Sequence, residues 1–334
     1  MKNISLFLLL SILFSSCETV LMKPEPAQTP QAVFEQVWQF ADKKYSFFDY
    51  KKIDWAATKA KYQPLIKDKM SDEELFKVCA DMLSELKDGH VNLKSDFDYG
   101  RNWSWYLDYP ENFNYSFVER NYFKSKEQFL DAFVLYDFGD VLYIYYGDFM
   151  ETVTKEDMDY IIERLKGKKG LIIDIRGNHG GSVANVSAIA GRFIDKKTKI
   201  GESWIKSGPE HESFTKEDEM LAFNKSLKTN ATSPIVLLTN RNCYSAANFF
   251  TLYMKALPQV TIVGDKTGGG GGIPAMSDLS NGWKVRVSTT RTFDNAGFNI
   301  ENGIDPHIKI DVLKADEDKG KDTILEKGLA ILRK

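Results

Sequence analysis

The chain has 334 residues, with 44 Lys and Arg scattered among 47 Asp and Glu and a formal net charge of -3. That balance offers no basic stripe to a phosphate backbone, so nucleic acid is not an expected partner. Three cysteines and four histidines, none at metal-ligand or paired spacing, support neither a metal site nor a disulfide framework, and no metal or cofactor is expected.

In chain order, residues 1–16, MKNISLFLLLSILFSS, place one Lys before an apolar run and two small residues before Cys17. This is the layout of a secretory signal, too short to span a bilayer. Cys17 also stands where a bacterial lipoprotein signal would be cut and the new N-terminal cysteine acylated; a plain signal peptide is the alternative. Residues 17–31 hold three prolines and no period, and read as a tether. The expected location is the cell envelope, with the chain exported and anchored through Cys17 to a bacterial membrane facing the periplasm.

Residues 32–95 read as a small N-terminal helical bundle. Val33, Phe34, Val37, Trp38, Ala41 and Tyr45 make a helical stripe, and a second helix runs from Trp55 toward Ile66. The third opens on a capping box at Ser71 and Glu74 and presents Leu75, Val78, Met82, Leu83 and Leu86; it is expected to stop at Gly89, directly before His90. Residues 96–135 are a connector dense in aromatics, among them Trp103, Trp105, Tyr106, Tyr109 and Phe113, suited either to line a groove or to fill a seam. Residues 136–334 then alternate strand and helix. VLYIYY, GLIIDIRG, PIVLLTN and VTIVGD are strands, and helices are expected at 154–166, 183–193, 245–257 and 322–332. WKVRVSTTRTF reads as one half-exposed strand. Strands apolar throughout and separated by helices predict an α/β core with a mainly parallel sheet and flanking helices.

In such sheets reactive groups gather beyond the carboxyl ends of strands. One such junction is LIIDIRGNHGGS, whose glycines at a helix start leave backbone N–H groups free to meet an anion; a tight turn needs glycine in any case. The other is PIVLLTNRNCYSAANFF, where Ser245 opens a helix and the Ala246 N–H faces the same side. An ordinary N-cap serine is the competing reading, with Asn242 able to cap instead.

Four ordered motifs, DIRGNHGG, LTN with Ser-Ala-Ala, VGDKTGGGGG and Gly303-Ile304-Asp305-Pro306, together resemble the tail-specific (C-terminal-processing) serine peptidases, and LKDGH extends the likeness to residues 32–334. The resemblance implies a ClpP/crotonase-like core, Ser245 as nucleophile, and backbone N–H groups of Gly180 or Gly181 and of Ala246 as an oxyanion hole. Gly270 occupies the place of the lysine that serves the best-known branch as base, and Lys266 lies four residues too early. A serine without a base is a poor nucleophile. His90 matches the histidine of the branch resembling the tricorn core and the interphotoreceptor retinoid-binding repeats, where a helix C-terminus before it would favour its cation. His179 is the rival. The carboxylate of that branch corresponds to Glu301 first and Asp305 second, and His307 replaces an acid usual in the family. The interval from His90 to Val141 is too short for a full PDZ domain. The expected function is a serine peptidase acting on peptides or protein tails; the alternative is an inactive relative binding a peptide or apolar ligand.

Overall fold

The computed structural model describes residues 27–124, 126–222, 230 and 232–334; the signal segment, Cys17 and most of the tether lie outside them. In chain order the strands are β1 (Asn92–Lys94), β2 (Tyr99–Arg101), β3 (Gln128–Leu130), β4 (Phe133–Asp137), β5 (Val141–Tyr145), β6 (Gly170–Asp174), β7 (Thr198–Lys206), β8 (Phe214–Ala222), β9 (Ile235–Thr239), β10 (Val260–Gly264), β11 (Pro274–Asp278), β12 (Lys284–Ser288), β13 (Thr290–Asp294) and β14 (Ile308–Lys309).

The central sheet has the order β14-β10-β9-β6-β5-β4-β3. Neighbours from β14 to β5 are parallel, and β4 and β3 extend the sheet antiparallel. Successive side chains of a strand point to opposite faces, so the unbroken apolar runs serve two layers. Leu171 and Ile173 of β6 share a core with Met158, Ile161, Val186, Ile189 and Phe250, from the helices Lys155–Leu165, Val183–Ala190 and Ala246–Lys255. Ile172 packs on the other face with Ile324, Leu325 and Leu329 of the helix Thr323–Leu332. Each aliphatic side chain buried in this way stabilises the fold by roughly 1.5–3 kcal/mol. The expected α/β core with a mainly parallel sheet is the fold observed.

The N-terminal part departs from a purely helical bundle. Its helices Pro30–Lys44, Trp55–Tyr62 and Asp72–Ser84 pack on a four-stranded sheet ordered β11-β12-β1-β2, so residues 274–288 fold back onto it. Val285, Val287 and Trp283 share a core with Phe34, Leu75 and Phe76. WKVRVSTTRTF is accordingly two strands: β12 belongs to this sheet, and β13 joins the separate sheet β13-β7-β8. β12 alternates Val285 and Val287 with polar residues, whereas Thr290, Arg291 and Thr292 of β13 are all buried, and no Gly or Pro marks the change of partner. The aromatic connector contributes two short helices, Ser104–Leu107 and Tyr115–Val118, and the edge strand β3. Val118 and Phe123 fill the seam under the central sheet, while Trp105 and Tyr109 line a cavity of ≈ 740 Å³.

Candidate active site

Two turns interlock beyond the carboxyl ends of β6 and β9. The Gly177 N–H donates to Asn240 Oδ1 at 3.0 Å, and the Tyr244 N–H donates to the Asn178 carbonyl at 3.1 Å. Ser245 follows with φ 56 and ψ -119, a backbone conformation costing a non-glycine residue about 1–3 kcal/mol. It is pinned by its N–H on the Gly269 carbonyl, 2.9 Å, and by its carbonyl on the Phe249 N–H, 3.0 Å. Its side chain makes no capping bond to the helix Ala246–Lys255, so the ordinary N-cap reading does not hold. A sharp strand-to-helix turn of this kind thrusts the hydroxyl outward instead.

Gly180 passes so close that a Cβ there would sit 2.8 Å from the Ala246 nitrogen and the Ser245 Cβ. Its N–H donates to Asn178 Oδ1 at 2.9 Å and is therefore already engaged, unlike the expectation that it could serve an oxyanion. Among the described residues no hydrogen bond takes up the N–H of Gly181 or of Ala246.

His90 lies 155 positions away in the chain, yet its Nε2 is 2.9 Å from Ser245 Oγ. The helix before it ends at Ser84 rather than Gly89, with Lys87 at φ 45, so no helix C-terminus adjoins the imidazole. The expected stabilisation of its cation is absent. Burial pushes His90 down to about 4, Asp88 pulls the other way, and Arg286 and Arg101 push it further down. A neutral imidazole with Nε2 against a hydroxyl can accept its proton. Nδ1 is buried without a well-formed hydrogen bond, although the Gly272 backbone lies near enough to favour a proton on the ring. Asp88 holds the backbone instead, its Oδ1 accepting the His90 N–H at 2.7 Å and its Oδ2 the Ser288 hydroxyl at 2.9 Å.

Glu301 touches neither His90 nor Ser245. Its Oε1 accepts from Lys51 Nζ at 2.8 Å and its Oε2 from the Gly271 N–H at 3.0 Å. Burial, then the Asp88 charge, raises Glu301 to about 7, against the pull of Lys51. Burial also weighs against the Lys51 cation, but Glu301 and Asp88 outweigh it and hold Lys51 above its ordinary value.

The place of the absent lysine has a steric explanation. Gly270 has φ 76, and a Cβ there would meet the Tyr244 ring at 2.6–2.9 Å. That ring stacks on Trp105, with centroids 4.1 Å apart, and meets His90 edge-on at 4.9 Å. His179 abuts the paired rings of Trp105 and Tyr106 and has no hydrogen bond to Ser245. Asp305 is largely exposed and faces Lys266 at 3.7 Å, and neither has a hydrogen bond to Ser245. His307 is a structural residue, its Nδ1 accepting the Ile262 N–H at 3.0 Å. Cys79 and Cys243 are buried, and burial pushes both thiols up to about 12. No group of His, Cys, Asp and Glu among the described residues is placed to hold a metal ion.

Sequence reasoning missed Lys51, which carries no local signal. It also left Asp88 without a role, although a short acidic side chain two residues before the histidine suits a bond to that residue's N–H.

Comparison with known proteins adds the family. The family model described as tricorn protease C1 domain matches residues 26–84. The carboxy-terminal processing protease CtpA of Bacillus subtilis is 30% identical over 167 residues, 49% of this chain and 34% of that protein. The chain thus spans about a third of the length of the curated relatives it matches. A solved structure from Parabacteroides merdae, provisionally named a peptidase, is 39% identical with TM-score 0.86, covering 92% of this chain and 97% of that one. The tricorn protease shares the fold at 16% identity, TM-score 0.58, over 92% of this chain and 37% of its own. The model described as peptidase family S41 matches residues 140–310, half of the sequence and both interlocked turns, and the chain belongs to that family.

Proposed function

We propose that the protein is a serine peptidase that hydrolyses peptides or protein tails through an acyl-Ser245 intermediate. The observation that carries this reading is the 2.9 Å approach of His90 Nε2 to the Oγ of a serine held in a strained turn. His90 takes the Oγ proton as the oxygen attacks the substrate carbonyl, and the N–H groups of Gly181 and Ala246 receive the developing oxyanion. The protonated Nε2 then gives its proton to the leaving amine, and water repeats the sequence on the acyl-enzyme. Lys51, Asp88 and Glu301 position the loops bearing His90 and the glycines and touch no reacting atom.

A fluorophosphonate probe tests the assignment. Labelling is expected on Ser245, is lost in Ser245→Ala, and falls at least about 100-fold in His90→Ala. A folded protein that takes no label and hydrolyses no peptide, yet carries a bound peptide or apolar molecule, would favour an inactive binding protein instead.

The envelope location is part of the same proposal and rests on the sequence around Cys17. Expressed in a bacterium, the mature protein is expected to carry an acylated N-terminal Cys17 by mass spectrometry and to sediment with membranes, and Cys17→Ala is expected to release it. Unaltered fractionation of that variant would end the anchoring proposal.

A further inference from the structure

The four-stranded sheet turns Leu93, Val285 and Val287 toward the helical core, and its other face points away from it. On that second face Arg286 of β12, Asn92 of β1 and Arg101 of β2 stand in one cross-strand row, since Asn92 pairs with Arg286 on one side and Arg101 on the other. Directly opposed residues share a face. Arg286 Nη1 donates to Asn92 Oδ1 at 3.1 Å. Arg101 lies over the Trp103 ring at 4.2 Å and 5.9 Å from the Tyr244 ring centre, the same ring that abuts His90. Arg101 and the imidazole therefore neighbour the same tyrosine ring.

Neither guanidinium is held in an ion pair, although the Asp88 charge acts on Arg286. Arg164, Arg176, Arg192, Arg291 and Arg333 each form an ion pair with a carboxylate, but among the described residues Arg101 and Arg286 form none. The Nε of Arg101 is buried and has no hydrogen-bond partner. Burial, together with the Arg101 charge, holds Arg286 below its ordinary value although Tyr99, Tyr244 and Asp88 act in its favour. The next row on the same face adds Lys94 and Lys284, the latter paired with Asp278 at 2.6 Å. Two half-buried like charges on one sheet row are unfavourable while empty and are relieved by an anion. A planar fork beside a second planar fork fits a carboxylate above other anions available on a peptide.

We propose that Arg101 and Arg286 form a carboxylate clamp that selects peptides bearing a carboxylate near the scissile bond, a specificity that rests on the peptidase reading of Ser245 and His90. The spacing from the imidazole limits that carboxylate to within about three residues of the cleaved bond, at ~3.4 Å per extended residue. It comes either from the substrate's own C-terminus or from an Asp or Glu side chain.

The test uses peptides in matched pairs, free acid against C-terminal amide and Asp or Glu against Asn or Gln at each of the three nearest positions. Wild-type protein is expected to prefer at least one acid member by about tenfold in kcat/KM, with the preference shrinking between about 50 mM and 500 mM salt. The pair that shows the preference identifies the source of the carboxylate. In Arg101→Gln/Arg286→Gln the ratio within that pair is expected to fall to within about twofold, whatever the absolute rates. A wild-type protein that treats every pair alike overturns the clamp, and this holds even if the double variant does not fold. Should the protein cleave none of them, fluorescence anisotropy with Ser245→Ala reads the same pairs as binding. A charge preference there sustains the clamp while the peptidase reading fails; equal binding overturns the clamp as well.

Discussion

Two buried charge clusters flank the candidate site, each made of two acids and one base, and they are built to opposite effect. Under the glycine turn, Arg176 is fully enclosed and its guanidinium meets both acids: Nε and Nη2 donate to Asp174, and Nη1 to Asp322 at 2.9 Å. Tyr143 and the N–H groups of Ile324 and Leu325 complete the carboxylates' bonding. Beside His90, a single ammonium serves two buried acids unequally, with Lys51 2.8 Å from Glu301 but 3.8 Å from Asp88. A planar five-donor fork holds two carboxylates along fixed directions, whereas this three-donor ammonium hydrogen-bonds Glu301 and leaves Asp88 at 3.8 Å. The first cluster is a fixed brace for the glycine turn, and the second keeps one group, Glu301, raised to about 7.

The largest expected effect follows from that contrast. Arg176→Met strands two buried carboxylates and is expected to cost about 3–5 kcal/mol of stability. Lys51→Met also removes the only cation of its cluster, but Glu301 can take a proton near neutral pH, so about 1–3 kcal/mol is expected. Urea unfolding at pH 7 measures both. Equal losses would mean that the two clusters do not differ as described.

A smaller and more diagnostic effect lies in the pH dependence of stability. The folded-state value of His90 is about 4, below its ordinary 6.5, so the folded protein loses stability as pH falls from 6.5 to 4. For Glu301 the folded value, about 7, exceeds the ordinary 4.5, so stability is lost as pH rises from 4.5 to 7. The two trends oppose each other over most of the same window, and the wild type is expected to show a shallow profile. Glu301→Gln removes one trend and leaves stability rising with pH by about 1 kcal/mol per unit; His90→Asn leaves it falling by a similar amount. Slopes of the same sign in both variants would contradict these assignments.

The sheet core, the two strand-to-helix turns and the serine opening a helix were legible because each is local: apolar runs, a strand end, a helix start. Motif order also drew His90 toward Ser245, although nothing within either segment states a distance. What stayed hidden depends on register. Arg286 meets Asn92 across 194 positions, and Lys51 reaches Glu301 across 250. The split of WKVRVSTTRTF between two sheets has the same cause, since the partners that divide it, β1 and β7, are distant in the chain.

The smallest expected effect concerns activity. If His90 is the base, kcat/KM loses its acid limb near pH 4, where burial has set the imidazole, and not near 6.5. Glu301 titrates near 7 but is bonded to Lys51 and Gly271, away from both reacting side chains. Its protonation is therefore expected to move the limb little, and Glu301→Gln to shift it by less than about one pH unit. A wild-type limb close to 7 that disappears in Glu301→Gln would make Glu301, rather than His90, the group whose ionisation controls the reaction. The lysine cluster would then be part of the proton path and not a support beneath it.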